Sequence, residues 1–448
     1  MGRDGLFDDL PELPAPEAGA SAGRPRLRDP DRRQIELRSI DLEGTIGADH
    51  PARTIWAYVE RLDLRALEDR VRARAGMPGH PAISPRLMVA LWLYATSQGV
   101  GSARALARLC DSDDAYRWLC GGVSVNHHTL AEFRVGQEAL LDALLVENVA
   151  ALAAAGVVDL DTLAQDGVRV RASAGASSFR RLPTLNKARR KARRRASRAI
   201  ARLKRELDDD PGASNRRIAA ARARAAAERQ ARVERALKEH AKIEEQNRQR
   251  RERDKKKAAR RSEPRVSTTD PEARVMKMAD GGFRPAYNVQ IASDPENQIV
   301  VGLDVETTGS DRGLMRPMLE RVQSLYHRLP RRHLADAAFG KKEDIEWAAG
   351  NGVLVHCPPL DNRHGTDPFA PRPDDGPGVA AWRRRMKSPT GKARYKRRAL
   401  CECIHARFRN WNLRQFTVRG RLKVRAAALR FALANNILAT RRLCPAGV

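Results

Sequence analysis

The hydrophobic positions change period along the chain. From residue 46 to 155 they recur at the three- and four-residue intervals of amphipathic helices. SPRLMVALWLYATSQG predicts a helix with Ser84 as N-cap, Pro85 at its first position and Gly99 after its last turn. SARALARLC repeats the arrangement with Ser102 as cap. A longer helix is expected from Thr129 to about Ala155. Residues 1–45 show no such period and are rich in Pro, Ala, Asp and Arg, which predicts a poorly ordered leader.

The period then becomes two. DTLAQDGVRVRASAG alternates Val168, Val170 and Ala172, as a half-buried strand does. After Pro264, FRPAYNVQIASD and QIVVGLDVETTGSD read as two strands joined by a turn at PEN. GLMRPMLERVQSLY reads as a helix, RRHLADAAFG as a strand ending in an acid, and KKEDIEWAAGNG as a helix stopped by glycine. VLVHCP is a short buried strand, residues 361–380 a Pro/Gly/Asp loop, and from about Thr390 the chain reads as helical, broken at Gly420. The expected fold is a mixed α/β core in the element order of ribonuclease-H-like nucleases. Its parts would be an all-α region at 46–155, a first core piece at 156–182, a helical insertion at 183–262 and the rest of the core at 263–442.

Composition changes this picture mainly through charge. The apolar share, 42%, suits a folded chain with polar extensions. The net charge is +29, and residues 180–262 hold 31 Lys and Arg against 11 Asp and Glu. A pair of long helices of one sign repels itself unless an anion lies beside it. A polyanionic partner follows, and nucleic acid fits best. The most apolar run, Leu87 to Thr96, is far below the roughly 18 residues a membrane span needs. The acidic N-terminus has no signal-peptide core, and six scattered cysteines suit a reducing cytoplasm, beside the nucleoid for a DNA-bound protein. The short helices before residue 155 suit a helix-turn-helix-like DNA-binding module, and equally a plain bundle.

Cleavage of a phosphodiester by two metal ions needs carboxylates converging on a small space. Asp166 interrupts the apolar alternation of the first strand, where the bland reading is a turn or edge Asp. Asp336 lies at a strand's C-terminal end, where ligands collect in α/β sheets, and otherwise caps the next helix. Glu402 is the single acid between Gly376 and Val448, among 19 Lys and Arg. An ion pair with Arg398 four residues earlier does not explain that isolation. Asp159, Asp161, Asp304, Glu306 and Asp311 compete, with Asp304 and Glu306 sharing one strand face. A zinc site from Cys401, Cys403 and His405 would need residues two apart on a helix to face one point.

These stretches resemble a family. SPRLMVALWLYATSQGVGSARALARLCDSDDAYRWLCGG, AQDGVRVRASA, STTDPEARVMKMADGGFRPAYNVQIASD and LADAAFG are similar to DDE transposases of bacterial insertion sequences. The resemblance covers most of residues 60–440 and ends on the Tyr-Arg-Glu-Lys signature, here Tyr395, Arg398, Glu402 and, with Arg for Lys, Arg409. It implies that Asp166, Asp336 and Glu402 hold two Mg²⁺ ions, with Mn²⁺ able to substitute. It implies that Arg398 and Arg409 contact phosphates near the break, and that Tyr395 stacks on a base or bonds a phosphate there. The partners would be double-stranded transposon ends and target DNA, engaged by a homodimer. A catalytically inactive DNA-binding descendant is the alternative.

Overall fold

A computed structural model of the chain describes residues 39, 41–71, 73, 81–208, 213–253, 263–360 and 367–443. The chain divides into a unit over Met1–Asp41 and one over Leu42–Val448. Everything below lies in the second, and most of the expected leader falls outside the described residues. Its last residues, Glu43–Thr45, form a 3-10 turn, and the Glu43 carboxylate accepts from Trp118 Nε1 at 2.9 Å.

The first third is helical: α1 (Pro51–Glu60), α2 (Arg65–Glu68), α3 (Pro85–Ser97), α4 (Ala103–Ser112), α5 (Asp114–Cys120), α6 (His127–Arg134) and α7 (Glu138–Ala154). Every residue of α3 from Leu87 to Ser97 is buried, so this helix runs through the core. Pro85 opens it as expected, but the Ser84 side chain makes no capping bond. Ser102 does cap α4, accepting from Ala105 N at 3.4 Å. The single helix expected from Thr129 to Ala155 is two, α6 and α7. Asn126 starts the first by accepting from His128 N and Thr129 N at 3.0 Å. The break falls at Val135–Gln137, where Gly136 costs about 1 kcal/mol of helix propensity against alanine.

The sheet is mixed, with strands β1 (Thr162–Arg171), β4 (Arg274–Lys277), β5 (Phe283–Asp294), β6 (Ile299–Glu306), β7 (Arg332–Leu334) and β8 (Leu354–His356). The path runs β4-β5-β1-β7-β8, with β6 also on β5. β1 runs antiparallel to β5 and parallel to β7. Val168, Val170 and Ala172 are buried as the alternation requires.

Helices α8 (Leu182–Asp208) and α9 (Ala213–Arg253) lie between two short strands, β2 (Phe179–Arg180) and β3 (Val266–Ser267), which pair antiparallel. The helices form an antiparallel hairpin whose seam is small: Leu185 packs with Ala236 and Val266 near its base.

The rest comprises α10 (Met315–Tyr326), α11 (Lys342–Gly350), α12 (Pro377–Lys387), α13 (Pro389–Lys396), α14 (Cys401–Asn410) and α15 (Arg421–Leu443). The expected loop over 361–380 is shorter than that: Pro377 opens α12, and residues 361–366 lie outside the described part. α15 threads the main core, where Val424, Leu429 and Leu433 join Leu91 of α3, Leu145 of α7 and Val301 of β6. The N-terminal helices and the sheet therefore share one hydrophobic core. Among the described residues, no helix is long and apolar enough to cross a membrane.

Candidate active site

The β1–β7 register sets Ala164 beside Leu334, and both pack on Cys401 of α14. Side chains alternate along a strand, so Asp166 lies two residues further on the same face of β1, and Asp336 follows two residues past the end of β7. Both sit at the C-terminal side of this parallel pair, with α14 above Asp166. The Arg398 guanidinium comes from the turn before α14. It donates to Asp166 Oδ2 at 3.0 Å, and its other terminal nitrogen lies 3.5 Å from Glu402 Oε1. His405 Nδ1 is 3.7 Å from the same Asp166 oxygen. Four of the six expected site residues thus come together through Arg398, which touches Asp166, Glu402 and Tyr395, with Asp336 alongside.

The electrostatics agree with that proximity. Burial raises the Asp336 carboxyl above its ordinary range, and the negative charges of Asp166 and Asp311 add to it. The Ala338 N–H, donating to Asp336 Oδ1 at 2.8 Å, and Arg398 oppose the rise. Asp336 is therefore also the cap of the following 3-10 turn. Burial works against the Arg398 charge, but Asp166, Tyr395 and Asp336 outweigh it and raise its pKa. Burial, helped by Arg409 and Arg398, lowers His405, though Asp166 and Glu402 pull the other way.

The members differ in exposure. Asp166 and Arg398 are largely buried, whereas the Glu402 side chain is 65% exposed. Arg409 is exposed one turn beyond His405. Tyr395 is half-buried against the apolar cluster that contains Met315 and Trp382, and it bonds to Arg398. In this arrangement it braces the arginine.

The competing acids are otherwise engaged. Asp304 lies 3.3 Å from Arg425 Nε, and Glu306 accepts from Arg421 at 3.0 Å. Asp161 pairs with Arg328, and the Asp159 carboxylate accepts from the Asp161 N–H. Asp311 is different. It is buried beneath Asp166, on the opposite face of β1, and accepts from Asn288 Nδ2 at 2.7 Å, Gln290 Nε2 at 2.8 Å and Arg169 Nη2 at 3.3 Å. A Cβ on Gly167 would come within 2.4 Å of Gln290 Nε2 and 2.5 Å of Asp311 Oδ1, so a side chain beside Asp166 would have to push this hydrogen-bonded pair aside. Sequence reasoning ranked Asp311 with the other acids. The available signal was the polar pair Asn288 and Gln290 on one face of an apolar strand. Cys401 is buried against Ser293 at 3.2 Å, while Cys403 is exposed, so the two sulfurs do not converge.

Among the described residues no three His, Cys, Asp or Glu side chains converge closely enough to hold a metal as they stand. The donor set nonetheless fits a hard divalent cation: two aspartates and a glutamate, with carboxylates already gathered on the positive charge of Arg398.

Two comparisons with known families bear on this geometry. Residues 40–136 match the model of a family described as Transposase domain, and residues 257–437 match that of the Transposase DDE domain. Asp336 and Glu402 lie inside the second match, and Asp166 lies between the two. No curated protein and no solved structure matches the chain. The two matches take in most of the N-terminal helices and most of the sheet, and the chain belongs to the DDE transposases of the insertion-sequence type.

Proposed function

We propose that the chain cuts the ends of a mobile DNA element and joins them to target DNA, using Asp166, Asp336 and Glu402 in a ribonuclease-H-like core. The carrying observation is that Arg398 links Asp166 of β1 to Glu402, with Asp336 two residues past the end of the parallel neighbour β7. When bound by these carboxylates, Mg²⁺ supplies Lewis acidity to the attacking and leaving oxygens.

The chain's own groups do the rest. Arg398 offers a planar guanidinium that suits a phosphodiester as well as a carboxylate. Its exchange of Asp166 for a DNA phosphate would leave that carboxylate available as DNA arrives. Arg409, exposed on α14, extends the cationic face toward the backbone. The basic hairpin α8–α9 adds affinity for phosphates that is independent of sequence.

The test is Mg²⁺-dependent nicking of DNA carrying the element's ends, by the wild type and by Glu402→Ala. Nicking that the substitution abolishes is expected. Full activity in the variant removes Glu402 from the site, and no nicking by the wild type favours an inactive DNA-binding descendant.

A further inference from the structure

At the root of the α8–α9 hairpin a cavity of about 180 Å³ lies where four separate segments meet. Lys191 comes from α8, Arg229 and Arg232 from α9, and Arg419 from the segment leading into α15. Thr268 and Thr269, on the loop after β3, complete the polar lining, and the small residues of the helix seam form the floor. No carboxylate lines it.

The surrounding charges make this more than a basic face. Lys191 and Arg229 make no ion pair among the described residues, and Arg232 has only Glu228, four residues earlier and 3.6 Å away. Arg419 is held in place by a bond from Nε to Ser173 O at 3.0 Å, leaving its terminal nitrogens for another partner. An adjoining cavity shares Arg232, Thr269 and Arg419 and does contain acids, but these are engaged. Glu239 accepts from Arg274 at 2.6 Å, Glu272 from Arg421 N at 2.9 Å, and Asp270 from Tyr287 at 2.8 Å. Four cations and two hydroxyls therefore converge, offset only by Glu228 beside Arg232 and by the charge of Asp270 acting on Arg419. Such a donor set recognises a phosphate oxyanion.

We infer that this cavity is a binding site for a backbone phosphate of duplex DNA. It ties the hairpin to the core through one shared anion. The inference rests on the transposase reading for its choice of DNA, but it concerns a place apart from the carboxylates. A phosphate here would touch both hairpin helices, the loop after β3 and the approach to α15 together. Occupancy would then fix the hairpin relative to the sheet.

The experiment is equilibrium binding of a labelled duplex in EDTA, across a series of salt concentrations, so that cleavage plays no part. Lys191→Ala/Arg229→Ala is compared with Arg194→Ala/Arg224→Ala. The latter removes the same charge from exposed positions on the same helices that do not line the cavity. The first variant should lose roughly tenfold in affinity at 0.1 M salt, and its log–log salt slope should flatten by about 0.9, the signature of one lost phosphate contact. The second should change neither by a comparable amount. Equal losses in both, or none in the first, overturn the site while leaving DNA binding intact. Absence of duplex binding by the wild type overturns the transposase reading with it. Inorganic phosphate at constant ionic strength tests the other source. If it stabilises the wild type and not the first variant, while their DNA affinities are equal, the cavity serves a free oxyanion and the DNA assignment falls.

Discussion

Arg398 donates a hydrogen bond to Asp166 at 3.0 Å although the two stand 232 residues apart in sequence. Arg398→Ala would leave Asp166 largely buried without its cation. Hydrogen bonds to charged groups contribute about 1.5–3 kcal/mol. A loss of that order should appear in urea denaturation. Mg²⁺ should then stabilise the variant more than the wild type, because it no longer displaces a resident positive charge. An equal Mg²⁺ response in both proteins would count against Arg398 and the metal sharing Asp166.

Gly167 gives a second expectation. A methyl group there would have to push Gln290 Nε2 and Asp311 Oδ1 aside, since they would be met at 2.4 and 2.5 Å. Gly167→Ala should destabilise the fold by about 1–3 kcal/mol, the usual cost of overpacking a core. Thermal unfolding checks this. Asp311→Ala in the same background should recover part of the loss by opening the space. Additive losses would show that the clash lies elsewhere.

The buried histidines predict a pH dependence. Burial lowers His333, with His356 adding to it, and lowers His356, with Arg385 adding to it, each from 6.5 to about 4. Above 6.5 both are neutral whether folded or unfolded. As pH falls below 6.5, the unfolded chain takes up protons that the folded chain refuses, so stability declines until about pH 4. Burial also raises Asp294 from 3.8 to about 6, which acts in the opposite sense between those values. His405 is lowered too, and Asp336, Asp270 and Glu306 are raised, so the sign is read by comparison: between pH 6 and 4 the unfolding midpoint should fall more steeply, or rise less, in Asp294→Asn than in the wild type. Identical pH profiles in the two proteins contradict the assignment.

The hairpin can be removed with little disturbance to its base. Arg180 and Val266 are register partners, so an Asn-Gly turn can replace residues 181–265. The shortened chain should bind duplex DNA more weakly and with a flatter salt dependence. Nicking should persist once DNA is raised to saturation. Unchanged affinity and slope would mean that the +20 excess over residues 180–262 faces something other than DNA.

Much of this was legible in the chain because it is local. The alternation Val168, Val170, Ala172 reported a strand, and the one-sided charge of 180–262 reported paired helices. The isolation of Glu402 was visible by counting, as was its four-residue spacing to Arg398. The reach of Arg398 to Asp166 was not visible, because strand pairing sets it rather than spacing. Tyr395 was expected at the DNA, and its packing against the cluster of Met315 and Trp382 and its bond to Arg398 are tertiary contacts that spacing does not show. Asp311 lies in a loop with no period, so nothing near it in sequence pointed beneath Asp166. Gly136 ended a helix that its apolar neighbours favoured, a competition that periodicity alone cannot judge.

The last described helix, Arg421–Leu443, lies among the first ones, with Leu429 and Leu433 in one cluster with Ile55, Leu91 and Leu145. During synthesis those early helices are made without the surface that covers them. They stay exposed until some three hundred further residues have been added, which favours slow folding and chaperone dependence. A frameshift late in the gene would therefore leave the nascent N-terminal bundle open at its apolar seam. Decay of such an element should reach the cell first as insoluble polypeptide, ahead of any soluble fragment that competes for DNA.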